Sequence, residues 1–288
     1  MALDVFNLRD SVVDEYRSYV ESFVNILDPN VDQYVQDELN RGELWPDEIL
    51  QLNPSYESAR TLGEMASDRI LNSETAEFFG ENIRLYRHQE EALTIAKSGD
   101  PYVVTTGTGS GKSLTYLLPI YDAIVNSNPD DHQVRALIVY PMNALINSQE
   151  QALNTYLENL PSSKVRFDQY TGQTKQEDRE RILNDPPHIL LTNYVMLEYL
   201  LMRSNERQLL ERATQYLDFL VMDELHFYRG RQGADVAMLL RRVAEKSARD
   251  IQYIGTSATM TTEGERDHRR RAVAKVAATQ FGVEVRSE

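Results

Sequence analysis

The chain has 288 residues, 41% of them hydrophobic and 26% charged, which is the balance of a globular protein with a sizeable core. The net charge is −15, and cysteine is absent, which excludes disulfides and Cys-ligated metal within the chain. No apolar run approaches the roughly 20 residues of a membrane span, and the start, Met1-Ala-Leu-Asp-Val-Phe, lacks a basic leader region. A cytoplasmic location with no membrane partner is expected.

The acidity is uneven. Residues 1–80 hold 17 acidic and 5 basic residues, whereas residues 81–288 hold 28 and 25. A nucleic-acid surface therefore stays open for the second part.

The first 80 residues read as mostly helical. Val12, Val13, Tyr16, Tyr19, Val20, Phe23, Val24 and Leu27 recur at spacings of three and four, and Pro29-Asn30 ends that helix. Leu44-Trp45-Pro46 and Leu52-Asn53-Pro54 read as extended connectors, with a second helix over Ser55–Met65.

From about residue 85 the pattern alternates. Strands are expected at Tyr102–Thr105, Ala136–Tyr140, Val165–Tyr170, His188–Thr192, Phe219–Met222 and Gln252–Thr256. Helices are expected at His88–Lys97, Lys112–Ile124, Ala144–Leu157, Gln176–Leu183, Val195–Met202 and Gly233–Glu245. Alternation of this kind predicts an α/β fold, a parallel sheet with helices on both faces. Ligands on such sheets sit at the carboxyl ends of the strands.

After the first of these strands comes Thr106-Gly-Thr-Gly-Ser-Gly-Lys-Ser113, and then a helix. Thr108, Gly109, Ser110 and Gly111 can curl backbone N–H groups around a phosphate. Lys112 can reach the β- and γ-phosphates and Ser113 can hold Mg²⁺. The first position is Thr106 where the strict P-loop pattern has Gly. A second strand ends in Asp223-Glu-Leu-His226. Asp223 can hold the cation and Glu224 can orient and deprotonate an attacking water.

This acidic box resembles motif II of the superfamily-two DEAD/DEAH-box helicases, and further helicase motifs follow in order over residues 85–259. Leu85-Tyr-Arg-His-Gln89 resembles the adenine-reading segment, with Gln89 on the base and Tyr86 or Arg87 stacking on it. Core packing is an equal alternative for Tyr86. Tyr140–Gln149 resembles motif Ia, Tyr170-Thr-Gly-Gln-Thr174 the Gly-containing turn that touches the strand, Leu191-Thr-Asn-Tyr194 motif Ib and Gly255-Thr-Ser-Ala-Thr259 motif III. Asp223-Glu-Leu-His-Phe-Tyr-Arg-Gly230 narrows the likeness to bacterial mitomycin-repair-type helicases and their fungal relatives.

The resemblance implies a RecA-like P-loop NTPase domain over residues 81–288, preceded by an acidic helical accessory segment, 1–80. It implies ATP and Mg²⁺ as cofactors, with Lys112, Asp223, Glu224 and His226 catalytic. Pro141, Asn143, Gln149, Thr171, Gly172, Thr192 and Asn193 would touch a nucleic-acid backbone, DNA in preference to RNA. For each of them helix capping is an equal alternative. Asn143 stands where this family often has Arg or Lys. Ser257 and Thr259 would couple nucleotide state to strand grip, and His226 would meet motif III.

Phe227–Arg249 carries six basic and two acidic residues, read as a solvated helix face in preference to a strand contact. A second RecA-like domain is the implied partner for a complete motor in repair or defence. A protein partner could dock on the acidic segment. An RNA remodeller and a catalytically idle binding module are the alternatives.

Overall fold

The computed structural model describes residues 5–23, 26–41, 56–107, 109–127, 129–258 and 266–286. Two compact units are present, Met1–Ser55 and Tyr56–Glu288.

In the first unit, α1 (Val5–Glu21) carries an aromatic ladder, with Tyr19 edge-on to Phe23 at 4.8 Å. The helix ends at Glu21, well before Pro29, which instead opens α2 (Pro29–Asn40). Proline suits a first helical position because that N–H needs no partner. The Asp28 side chain caps it, accepting from the N–H groups of Asn30 and Val31. Val24 and the two proline connectors expected around 44–54 lie outside the described residues.

The second unit opens differently from the expected helix over Ser55–Met65. Here β1 (Ser58–Thr61) pairs antiparallel with β2 (Arg84–Tyr86). Helix α3 (Leu62–Ser67) starts only at Thr61, whose hydroxyl accepts from the Glu64 N–H while Glu64 returns the bond. Helix α4 (Ser73–Phe79) follows. The buried Asp122 carboxylate ties this stretch down, accepting from the Asn72 N–H at 2.8 Å and the Thr75 hydroxyl at 3.1 Å. Phe78 stacks on Tyr121 with centroids 4.2 Å apart. Residues 56–80 thus belong to the larger unit, and the structural division falls at 55/56 rather than 80/81.

The main sheet has six parallel strands: β3 (Tyr102–Thr105), β4 (Ala136–Tyr140), β5 (Phe167–Tyr170), β6 (Ile189–Asn193), β7 (Phe219–Met222) and β8 (Gln252–Ser257). Their order is β3-β8-β7-β4-β6-β5. Every residue of β4 and β7 is buried, as expected for strands covered on both faces. Successive side chains go to opposite layers. Ile138, Tyr140, Leu191 and Val221 pack under α5 (Arg87–Ser98), α6 (Leu114–Asn126) and α7 (Asn143–Asn159). Leu137, Val139, Leu190, Leu220 and Met222 face the layer of α8 (Gln176–Asn184), α9 (Tyr194–Met202), α10 (Ser204–Gln215), α11 (Gly230–Lys246) and α12 (Arg266–Phe281).

The amino ends of the strands are clamped by ion pairs. The Arg135 guanidinium joins Asp218 at 2.5 Å and Asp131 at 3.3 Å, and Arg166 joins Asp185 at 2.6 Å. The carboxyl ends are thereby left as the chemically open rim. Among the described residues no helix is long and apolar enough to cross a membrane.

Candidate active site

The phosphate loop leaves β3 at Thr105 and enters α6. Gly109 and Gly111 both have left-handed backbone, φ +76° and +69°, which glycine adopts without steric cost. The Thr106 hydroxyl bonds the Ser110 hydroxyl at 2.6 Å, so threonine at the first loop position pins the curl. Ser110 is buried, and its side chain faces inward. Thr108 lies outside the described residues.

Strand order sets the acidic box close to this loop. β8 separates β3 from β7, and the Thr106 N–H donates to the Ser257 carbonyl across that gap. Lys112 is folded over the site, only 11% exposed. Its Nζ donates to the Thr106 carbonyl at 3.2 Å and stands 3.7 Å from Glu224 Oε1. Glu224 has a left-handed backbone, φ +53°, ψ +53°, unusual for a residue with a Cβ and costing on the order of 1 kcal/mol. Its N–H donates to Thr256 Oγ1 at 3.1 Å, which holds that turn. Glu224 Oε2 is buried 3.1 Å from His226 Nδ1, without an aligned donor. The His226 Nδ1 also lies 3.3 Å from Ser257 Oγ.

Thr256 Oγ1 donates to Asp223 Oδ1 at 2.5 Å. Thr256 therefore joins both acidic residues to β8. From the sequence, a coupling role is expected of Ser257 and Thr259. Ser257 does reach His226, and Thr259 lies outside the described residues.

Burial pushes the Asp223 carboxyl up from 3.8 to about 6. The Glu224 charge adds to the rise, and the Thr256 hydrogen bond and Lys112 oppose it. A raised carboxyl pKa favours the folded state below the unfolded value, and that contribution is lost as pH climbs through 6. With the site empty, Asp223→Asn is expected to stabilise the fold at pH 8 by about 2–3 kcal/mol and by almost nothing near pH 4. Denaturant unfolding of both proteins at pH 4, 6 and 8 reads the gap. A gap that does not change with pH would contradict the assignment.

A divalent cation fits this arrangement. A desolvated carboxylate gains from a nearby positive charge, and Ser113 and Asp223 supply oxygen donors of the kind Mg²⁺ takes. Among the described residues no group of three or more His, Asp and Glu forms a cage, so phosphate oxygens and water would complete the shell.

The segment before the loop departs from expectation. Gln89 is 3% exposed and both ends of its amide are engaged: Oε1 accepts from the Tyr86 N–H and Nε2 donates to the Gly111 carbonyl, each at 2.8 Å. Gln89 thus braces the loop, while its Oε1 keeps a second lone pair. Arg87 is exposed and paired with Glu57 at 3.0 Å and Glu91 at 2.9 Å, so its guanidinium is held by carboxylates rather than presented for stacking. Tyr86 instead joins Tyr56 and His88 in an aromatic group with centroids 5.2–5.8 Å apart. Tyr56, which sequence reading missed, leans over the loop. A Cβ on Gly107 would stand 3.1 Å from its hydroxyl.

The residues expected to touch a strand follow β4, β6 and β5, the other half of the rim. Asn143 and Asn193 meet there, Asn193 Nδ2 donating to Asn143 Oδ1 at 2.6 Å. Asn193 also caps α9 by accepting from the Met196 N–H. Pro141 is half-buried and Gly172 exposed, both on the rim. Three side chains are turned away. Thr192 is fully buried and donates to the Tyr170 carbonyl. Thr171 is buried, its hydroxyl accepting from the Gln173 N–H. Gln149 is 9% exposed and accepts from the Tyr116 hydroxyl in the interior. Buried polar groups at a strand end must find internal partners, and these have done so.

A family model for the DEAD/DEAH box helicases matches residues 86–267. This chain belongs to the DEAD/DEAH box helicase family. It is 33% identical over 212 residues to an uncharacterised ATP-dependent helicase of Methanocaldococcus jannaschii, covering 71% of this chain and 30% of that protein. It is 32% identical over 213 residues to the ATP-dependent helicase hrq1 of Schizosaccharomyces pombe, covering 73% and 19%. The DUF1998 helicase MrfA, solved bound to DNA and AMPPNP, superposes with a TM-score of 0.62 at 25% identity, covering 87% of this chain and 33% of that one. The chain spans a third or less of each of these relatives. The last two agree with the likeness drawn from the Asp223–Gly230 segment, and the parallel six-stranded sheet is the RecA-like fold of the family.

Proposed function

We propose that this chain carries the ATP-binding motor domain of an ATP-dependent DNA helicase or translocase. The observation that carries the reading is the approach of Lys112 to Glu224, with Asp223 beside it on Thr256. In this reading Lys112 is the phosphate-binding cation, Asp223 the cation-holding carboxylate and Glu224 the water-activating carboxylate of one site. Lys112 and the loop N–H groups would bind the phosphates, and Glu224 would orient and deprotonate the attacking water with His226 beside it. Mg²⁺ held by Ser113 and Asp223 would neutralise charge building on the phosphate oxygens.

In this reading the base would stack on Tyr56 and Tyr86, with the amide of Gln89, which also braces the loop, as its polar contact. Tyr56→Ala is expected to weaken nucleotide binding about fivefold, the value of one aromatic contact. Fluorescence titration with a labelled ADP checks it, and an unchanged affinity would remove Tyr56 from the site.

Strand binding would use the rim of Pro141, Asn143, Gly172 and Asn193 through backbone contacts, with little sequence preference. A second RecA-like domain of a longer protein would close over both halves of the rim and complete the motor. Residues 1–55 would form an accessory unit and could dock a protein partner. DNA is favoured by the likeness to MrfA, solved with DNA. Anisotropy of matched labelled DNA and RNA single strands, with AMPPNP and Mg²⁺, tests this. Tighter DNA binding is expected, and tighter RNA binding would favour an RNA remodeller.

A further inference from the structure

The turn that leaves β7 past His226 is held more firmly than an exposed connector needs. Tyr228 is its anchor. The ring is buried, edge-on to Tyr194 at the start of α9 with centroids 5.9 Å apart. The Tyr228 carbonyl accepts from Gln280 Nε2 at 3.0 Å. Gly233 on α11 lets that carbonyl close in, because a Cβ there would stand 2.6 Å from it. The neighbours of the anchor are left outside. Phe227 is 46% exposed and Arg229 is exposed, followed by Gly230 with left-handed backbone, φ +56°, and then exposed Arg231. Among the described residues the guanidiniums of Arg229 and Arg231 have no carboxylate, carbonyl or ring partner. A lone exposed aromatic is ordinary. Packing does not explain one fixed beside two unpaired arginines.

We propose that Phe227, Arg229 and Arg231 form a further contact for a nucleic-acid single strand, with a base stacked on the phenyl ring and phosphates held by the two guanidiniums. This rests on the strand-rim reading above. The place in the sheet favours it: β7 lies between β3, which leads into the phosphate loop, and β4, β6 and β5, which lead into the rim. Arg231, Gln232, Tyr194 and Glu198 line a groove of about 580 Å³ between α11 and α9. Tyr194 directly follows Asn193 of the rim, so the groove opens on the rim. Charge sets where the strand runs. One turn further along the two helices Glu198 and Asp235 line the groove, so phosphates are kept at its mouth, beside Arg231 and Arg229. Stacking and backbone charge read no sequence, in keeping with the other rim contacts. The stretch that begins at Phe227 therefore divides: its first residues meet the strand, and the rest of α11 keeps the solvated outer face expected of it.

Fluorescence anisotropy of labelled single-stranded oligothymidylate, with AMPPNP and Mg²⁺ over a series of salt concentrations, tests this. The variants are Phe227→Ala, the double variant Arg229→Gln with Arg231→Gln, and Lys246→Gln at the far end of α11. Phe227→Ala is expected to weaken binding about tenfold at every salt concentration, the effect of losing one stacked base. The double variant is expected to weaken binding and to flatten the slope of log affinity against log salt by about 1.4, about 0.7 for each phosphate contact. Lys246→Gln should leave both readouts at wild type. A merely disturbed turn would lower affinity and leave the salt slope unchanged. Wild-type affinity in Phe227→Ala, or a wild-type slope in the double variant, would overturn the proposal. If Asn143→Ala still weakens binding in that case, the rim reading stands and this turn meets a protein surface instead. A wild type that binds no strand would overturn the rim reading itself, and this inference with it.

Discussion

Glu224→Gln is expected to cut ATP hydrolysis by about 10²–10⁴-fold while leaving nucleotide affinity nearly unchanged. The amide keeps the shape of the carboxylate but cannot take a proton from water. The main-chain anchor survives, because it is the Glu224 N–H that bonds Thr256. Removing the Glu224 charge also relieves Asp223, whose carboxyl that charge helps to raise. Asp223 should then be more fully ionised at neutral pH, so affinity for a cation-bound nucleotide should hold or rise slightly. Single-turnover phosphate release with excess protein measures the rate even where turnover is slow. A fall of less than tenfold would mean that another group activates the water.

Lys112→Ala is expected to weaken AMPPNP binding by about 100-fold or more. The ammonium would make charge-assisted hydrogen bonds to phosphate, each worth about 1.5–3 kcal/mol, and every 1.36 kcal/mol is tenfold. It is already poised, held between the Thr106 carbonyl and Glu224. Its loss also removes a charge that favours ionised Asp223, which further weakens cation binding. The fold should persist, since the core beneath the loop is built from Tyr102, Tyr116 and Leu117 rather than from Lys112. Calorimetry on a variant with an unchanged circular dichroism spectrum checks this, and a loss under threefold would contradict it.

The sheet was legible because buried parallel strands read as uninterrupted apolar runs. β3, β4 and β7 have the expected ends. β6 and β8 run one residue further, to Asn193 and Ser257, since ladder pairing there continues past the apolar run. The edge strand β5 starts two residues late, at Phe167, where its pairing with β6 begins. The polar antiparallel pair of Ser58–Thr61 and Arg84–Tyr86 was not legible. It has no apolar alternation, and its partner strand lies more than 20 residues away. Helix α10 was missed because its apolar signal is short, little more than Leu209, Leu210 and Ala213.

The site was legible as a set of motifs, and less so residue by residue. Motif spacing located Lys112, Asp223, Glu224 and His226. It did not reveal which neighbours face inward. Thr256, Ser257 and Thr259 are hydroxyls in one short run, and only the strand geometry selects Thr256 for Asp223. Gln149 and Thr192 belong to motifs that border the rim, yet strand and helix periodicity turns them into the core. Tyr56 lies outside every motif. Its signal is its place in space, across the loop from Gly107.

The most direct measurement is calorimetric titration of the wild-type chain with ADP and with AMPPNP, each with Mg²⁺ and with EDTA. Saturable binding of both nucleotides in the micromolar range is expected, tighter with Mg²⁺ and weakened by acid through the Asp223 range near pH 6. Absence of binding to either nucleotide, with or without the cation, would contradict the claim that Lys112, Asp223 and Glu224 form a nucleotide site.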